Sequence, residues 1–154
     1  MMRRALAAAA LILLFAGCDG LIGGEEAARI PLQAADGGYA PVRILLKPGM
    51  NPVLFLLNAD FAWGKRDEAG KWNSYRATLS TDGKVIHTQD FQVNSPENND
   101  PAESSPPPTS LLQPMMRVDV PGEGEYELAI VSLQPATVTL NAAQLLVRIN
   151  VSRL

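Results

Sequence analysis

The chain has 154 residues, with 13 basic and 16 acidic side chains for a net charge of −3, one cysteine and one histidine. That balance lacks the clustered cationic surface that phosphate backbones require, which argues against nucleic acid as a partner. A single cysteine rules out an internal disulfide, and a single histidine rules out a zinc site with two imidazole ligands.

The first feature in chain order is the apolar run Ala5–Gly17, "ALAAAALILLFAG", preceded by Arg3 and Arg4. Its 13 residues fall short of the roughly 20 needed to cross a bilayer as a helix. Basic start, short apolar core and small residues at the end follow the order of a secretory signal peptide. Phe15-Ala16-Gly17-Cys18 resembles the lipobox of bacterial lipoproteins, although Phe15 stands where that family usually has an aliphatic residue. The resemblance implies cleavage of residues 1–17, a diacylglyceryl thioether on Cys18 and an acyl chain, such as palmitate, on its new amino group. Two or more chains anchor a protein stably, which one does not. The implied location is the periplasmic side of the bacterial cell envelope, with Asp19 after the cysteine a modest indication of the inner membrane. An ordinary signal-peptidase cut before Asp19 is the alternative. Loss of Arg3 and Arg4 with the leader leaves 11 basic against 16 acidic residues, a charge of −5.

Residues 18–28, from Cys18 through "DGLIGGEEAA", carry three glycines and adjacent acids and read as a flexible tether. From Arg29 the chain is a series of short β-prone runs broken by Gly, Pro, Asn and Asp, long enough for one domain over 29–154. "YAPVRILLK" places Val42, Ile44 and Leu46 on one face of a strand. "VLFLLN" from Val53 is apolar on both faces, as in a strand inside a sheet.

In "YRATLSTDGKVIHTQDFQV", Asp82-Gly83 suits a two-residue type I′ turn, pairing Thr81 with Lys84, Leu79 with Ile86 and Thr78 with His87. Tyr75, Ala77 and Leu79 then face the core, and His87 faces outward. Phe91 and Val93 have the opposite parity from Ile86, which predicts a bulge near Thr88–Asp90. "MMRVDV", "GEYELAIVSL", "ATVTL" and "QLLVRINV" extend the pattern, the last with Leu145, Val147, Ile149 and Val151 inward and Leu146, Arg148 and Asn150 outward. About eight or nine strands without an amphipathic helix predict an antiparallel β-sandwich of jelly-roll or immunoglobulin-like type. "NSPENNDPAESSPPPTSLLQP", 94–114, has six prolines, three acids and no base, and is expected to be a disordered loop.

Residues suited to chemistry are few. Asp60, Asp67, Glu68 and Asp90 are the candidates for a carboxylate pair, with Asp67 and Glu68 in the polar turn "KRDEAGK". His87 with Met50, Met115 or Met116 has the donor types of a copper site but no motif spacing. No nucleophile elbow or phosphate-binding glycine loop is present. The expectation is therefore a protein that is not an enzyme and has no metal or cofactor. The stretch "DFAWGKRDEAGKWNSY", 60–75, gathers both tryptophans with basic residues, and Trp63, Trp72, Lys65 and Arg66 are its candidate binding residues. Packing of the two tryptophans across a hairpin is the structural alternative. Three classes follow: an anchored envelope protein that binds a protein partner, a carbohydrate- or peptidoglycan-binding module using 60–75, and a hydrolase or metal carrier.

Overall fold

The computed structural model describes residues 23–61, 72–94 and 110–152. Nine strands form two antiparallel sheets: β1 Glu25–Pro31, β2 Ala34–Ala35, β3 Gly38–Leu46, β4 Val53–Phe61, β5 Trp72–Thr81, β6 Lys84–Asn94, β7 Ser110–Val118, β8 Gly124–Ser132 and β9 Leu140–Ile149. One sheet has the order β1-β9-β4-β7 and the other β2-β3-β8-β5-β6. The pairs β1·β9, β3·β8, β4·β7 and β5·β6 are nested in the sequence. Nested pairing across two sheets is the jelly-roll winding, so of the two expected sandwich types the strand order selects this one. Among the described residues the one helical element is a 3-10 turn at Pro48–Met50.

The sheets meet through alternating side chains. Ile44 and Leu46 of β3, Tyr75, Ala77 and Leu79 of β5, and Tyr126, Leu128 and Ile130 of β8 face Val53, Phe55 and Leu57 of β4 and Leu145 and Val147 of β9 in one core. The reading of β4 as apolar on both faces holds, because β4 lies between β9 and β7 and Leu56, paired with Leu146, is buried on its other face. Arg148 departs from expectation. It shares the outward parity of Leu146 yet is 4% exposed, and its guanidinium donates to the carbonyls of Gly23 (3.0 Å) and Gly24 (2.9 Å).

Three boundaries shift. Strand β1 starts at Glu25, inside the stretch read as tether, because Glu25–Pro31 zips onto β9. Strand β7 starts at Ser110, inside the stretch read as the Pro-rich loop, with Ser110–Pro114 paired to Leu56–Asp60 of β4. Pro114 is tolerated there because β7 is an edge strand and bulges between the partners of Phe55 and Leu56. "ATVTL" supplies only Leu140 to a strand. Residues 95–109 lie outside the described residues.

In the β5–β6 hairpin the turn is as expected, with Asp82 at φ 49° and Gly83 at φ 74° and Thr81 opposite Lys84. The bulge comes earlier than expected, between the partners of Leu79 and Ser80, so Leu79 pairs with His87 and Thr78 with Thr88. His87 consequently takes the core-facing parity and is half-buried rather than outward. The same slip brings Phe91 and Val93 into the core, opposite Tyr75 and Asn73.

The strands run between two ends of the sandwich. The near end holds the start of β1, the 3-10 turn, the β7–β8 connection and the end of β9. There Asn150 N–H donates to Met50 O (2.9 Å) and Val151 N–H to Pro52 O (3.2 Å). Asn51 clips onto Val120 through both its amide groups, donating to O (2.9 Å) and accepting from N–H (2.8 Å). The far end holds the β1–β3 connection, the β8–β9 connection and the strand ends that flank 62–71 and 95–109.

Candidate functional site

The far end carries a groove of about 860 Å³, in the size range of small-molecule sites, about 300–1,000 Å³. One wall is the β2–β3 hairpin, Ala34 to Tyr39. Its turn requires glycine: Gly37 has φ 77° and Gly38 φ 142°, and a Cβ on Gly38 would collide with the carbonyl oxygen of Ile130. Gly37 O accepts from Ser132 N–H at 2.7 Å, which ties this wall to β8. The other wall is the connection from Ser132 to Leu140.

That second wall hangs on Asn73. Its Oδ1 accepts from the N–H groups of Thr137 (2.8 Å) and Val138 (2.9 Å), and its Nδ2 donates to Val138 O (2.8 Å) and to the Tyr75 hydroxyl (3.0 Å). Thr137 Oγ1 donates to Trp72 O (2.7 Å), and Leu133 N–H to Ser74 O (2.9 Å). Asn73 is 2% exposed on the core parity of β5, and its amide replaces the strand partner that this non-strand segment lacks.

Aromatic rings form the floor. Tyr75 stacks on Phe91 (centroids 5.3 Å, 23°) and meets Tyr39 at a tilt (6.2 Å, 35°). Burial holds the Tyr39 hydroxyl above its ordinary pKa, and the neighbouring Tyr75 phenol adds to the effect. Burial also raises Tyr75, while hydrogen bonds from Asn73 and Tyr39 pull the other way. Both phenols therefore remain protonated donors at neutral pH.

No Asp, Glu, Lys, Arg or His lines the groove among the described residues. Its polar groups are the hydroxyls of Tyr39, Tyr75, Ser132, Thr137 and Thr139 and the amides of Asn73 and Gln134. Such a lining can bind by neutral hydrogen bonds.

Of the residues singled out in the sequence, Cys18, Trp63, Lys65, Arg66, Asp67 and Glu68 lie outside the described residues. Trp72 opens β5 opposite Asn94, with its side chain on the solvent face of the sheet and 48% exposed. The strands that flank 62–71, β4 and β5, belong to different sheets, and the packing of the two tryptophans across a hairpin falls on Trp63, outside the described residues. Leu133, whose N–H bonds to Ser74 O two residues from Trp72, and Val131, opposite Arg76 further along the sheet, are likewise about half exposed, giving an apolar corner beside the groove. Asp60 lies next to the end of β4 in one sheet, whereas Asp90 lies in β6 of the other, held by Arg76 through bonds of 2.7 and 2.9 Å. Arg76 keeps the Asp90 carboxyl below the usual carboxylate range. Met115 and Met116 are core residues of β7, and Met50, in the 3-10 turn, packs against the core. No three His, Cys, Asp or Glu side chains come together among the described residues.

No sequence motif marks the groove residues Tyr39, Asn73 and Thr137, and the pattern gives Tyr75 only a core role. The one local signal is Asn73, a polar residue at the parity of Tyr75, Ala77 and Leu79. The sequence matches no family model, and comparison with curated proteins and with solved structures finds no match.

Proposed function

We propose that the chain is a lipid-anchored, non-catalytic binding protein of the bacterial cell envelope, held through Cys18 on the periplasmic side of a membrane, whose far end engages a protein partner. The observation that supports this most is polarity. The chain enters β1 at the near end, next to the Arg148 clamp on Gly23 and Gly24, while the groove and the Trp72–Leu133–Val131 corner lie at the opposite end. A tether from Cys18 to Gly24 spans at most roughly 25 Å, enough to stand the domain off a bilayer with the far end outward. Of the exposed residues there, the half-exposed Trp72 is of the type most enriched among the anchors of protein interfaces. Labelled palmitate incorporated into wild type and lost in Cys18→Ser tests the anchor, and a free mature chain starting at Asp19 overturns it. Site-specific photo-crosslinking from Leu133 in intact envelopes tests the partner, with Trp72→Ala expected to abolish the adduct.

A further inference from the structure

The groove beside that corner is a built site, and its chemistry specifies a ligand. Asn73 uses both N–H groups and its oxygen within the protein, and it acts on Tyr75 as a donor. The Tyr75 oxygen therefore accepts from Asn73, and its own proton is directed elsewhere. Tyr39 and Tyr75 face each other, so if one donates to its neighbour the proton of the other is left for an acceptor in the groove.

The absence of ionisable side chains other than tyrosine from the described lining sets the charge of the ligand. A charged group brought there would lose water and meet no counter-charge among the described residues, which is costly. The remaining lining alternates hydroxyl and amide groups with Leu133, Pro135, Ala35 and Gly37. Hydroxyls donate and accept, and flat small or apolar residues suit the C–H faces of a ring. An extended peptide would instead need a sheet edge to pair with. The edge at the groove is β2, which has two residues, too short to template a strand.

From this juxtaposition we infer that the groove between the β2–β3 hairpin and the 133–139 segment binds an uncharged saccharide segment, with Tyr39 and Tyr75 as hydrogen-bonding floor. The inference rests on the reading of the far end as the recognition end and is independent of the lipid anchor. It differs from a glycan platform made by Trp63 and Trp72, because the Trp72 side chain stands on the solvent face of the sheet and does not line the groove.

The test is isothermal titration of the full mature chain, in a detergent without a sugar headgroup, with four probes: chitotriose, maltotriose, trigalacturonate and a capped alanine tripeptide. One of the neutral trisaccharides should bind saturably, and the anionic sugar and the peptide should not. Tyr39→Phe should weaken binding about 3- to 10-fold, the worth of one neutral hydrogen bond. Ala35→Trp, which fills the groove from an exposed position, should abolish it, and Trp72→Ala should leave it unchanged. Thermal melts of each variant exclude unfolding as the cause. Binding of the peptide in place of the saccharides, equal binding of the anionic sugar, binding to none of the four, or loss with Trp72→Ala and not with Ala35→Trp overturns the inference. Loss of the Leu133 crosslink with saccharide binding intact would count against the protein-partner reading alone.

Discussion

The two ends of the sandwich use the same device to different effect. At the near end Asn51 bonds both backbone groups of Val120, and the neighbouring carbonyls of Met50 and Pro52 take the N–H groups of Asn150 and Val151, so the connections close over the core. At the far end Asn73 bonds Val138 in the same two-pronged way, but it also takes Thr137 N–H and supports Tyr75, and the segment it carries stands away from the β2–β3 hairpin. An asparagine that mimics a strand neighbour seals a turn in one case and holds a groove open in the other. What differs is the company: tight connections on the near side, and on the far side a tyrosine pair with a seven-residue crossover, 133–139, from one sheet to the other.

The comparison can be broken most severely through β7. Excision of 95–114 removes half of a strand paired to β4 and should abolish cooperative unfolding, whereas replacing 95–109 with a short Gly-Ser linker should move Tm by only a few degrees, since closure entropy grows with the logarithm of loop length. Next in size is Asn73→Ala, which strands Val138, Thr137 and Tyr75 groups inside the protein and should cost about 3 kcal/mol or more in urea melts. Asn51→Ala, with two bonds at a part-buried site, should cost about 1 to 2 kcal/mol. A larger loss at Asn51 than at Asn73 would reverse the ranking of the two ends.

Alkali should also act on the far end. Tyr39 and Tyr75 both have raised pKa values in the fold, so their contribution is complete below the unfolded value of 10.0 and is lost as pH rises through the folded values. Stability should therefore fall above pH 10, and Tyr39→Phe should flatten that fall. The smallest effect belongs to Trp72→Ala, which at half exposure should change stability by less than about 1 kcal/mol while removing the partner crosslink.

Where a strand buries one face, the sequence is easily read. The alternation in β3, β5 and β8 follows from that burial, as does the double-sided run of β4 from its central place. Strand β1 is hard to read because "EEAARIP" has little apolar pattern of its own and is placed by β9. The parity change between Ile86 and Phe91 reveals that a bulge exists, but its site at the partners of Leu79 and Ser80 depends on how β6 settles on the core. The groove was invisible for a different reason. Its parts come from 34–39, 73–75 and 132–140, and no one of them carries a motif; only their meeting makes a neutral, tyrosine-floored site. Asn73 on a core parity marked the place without saying what it served.

The pairing of β1 with β9 also fixes how the domain bears force. A pull on residue 24, directed out of the near end, acts along the axis of β1 and opposes a load applied at the far end. The register from Glu25 against Ile149 to Pro31 against Gln144 is then sheared as a set rather than peeled one pair at a time. The guanidinium of Arg148, bonded to Gly23 O and Gly24 O, sits where that load enters. A load entering there therefore has to slide the whole β1·β9 ladder before the first strand can leave the sheet.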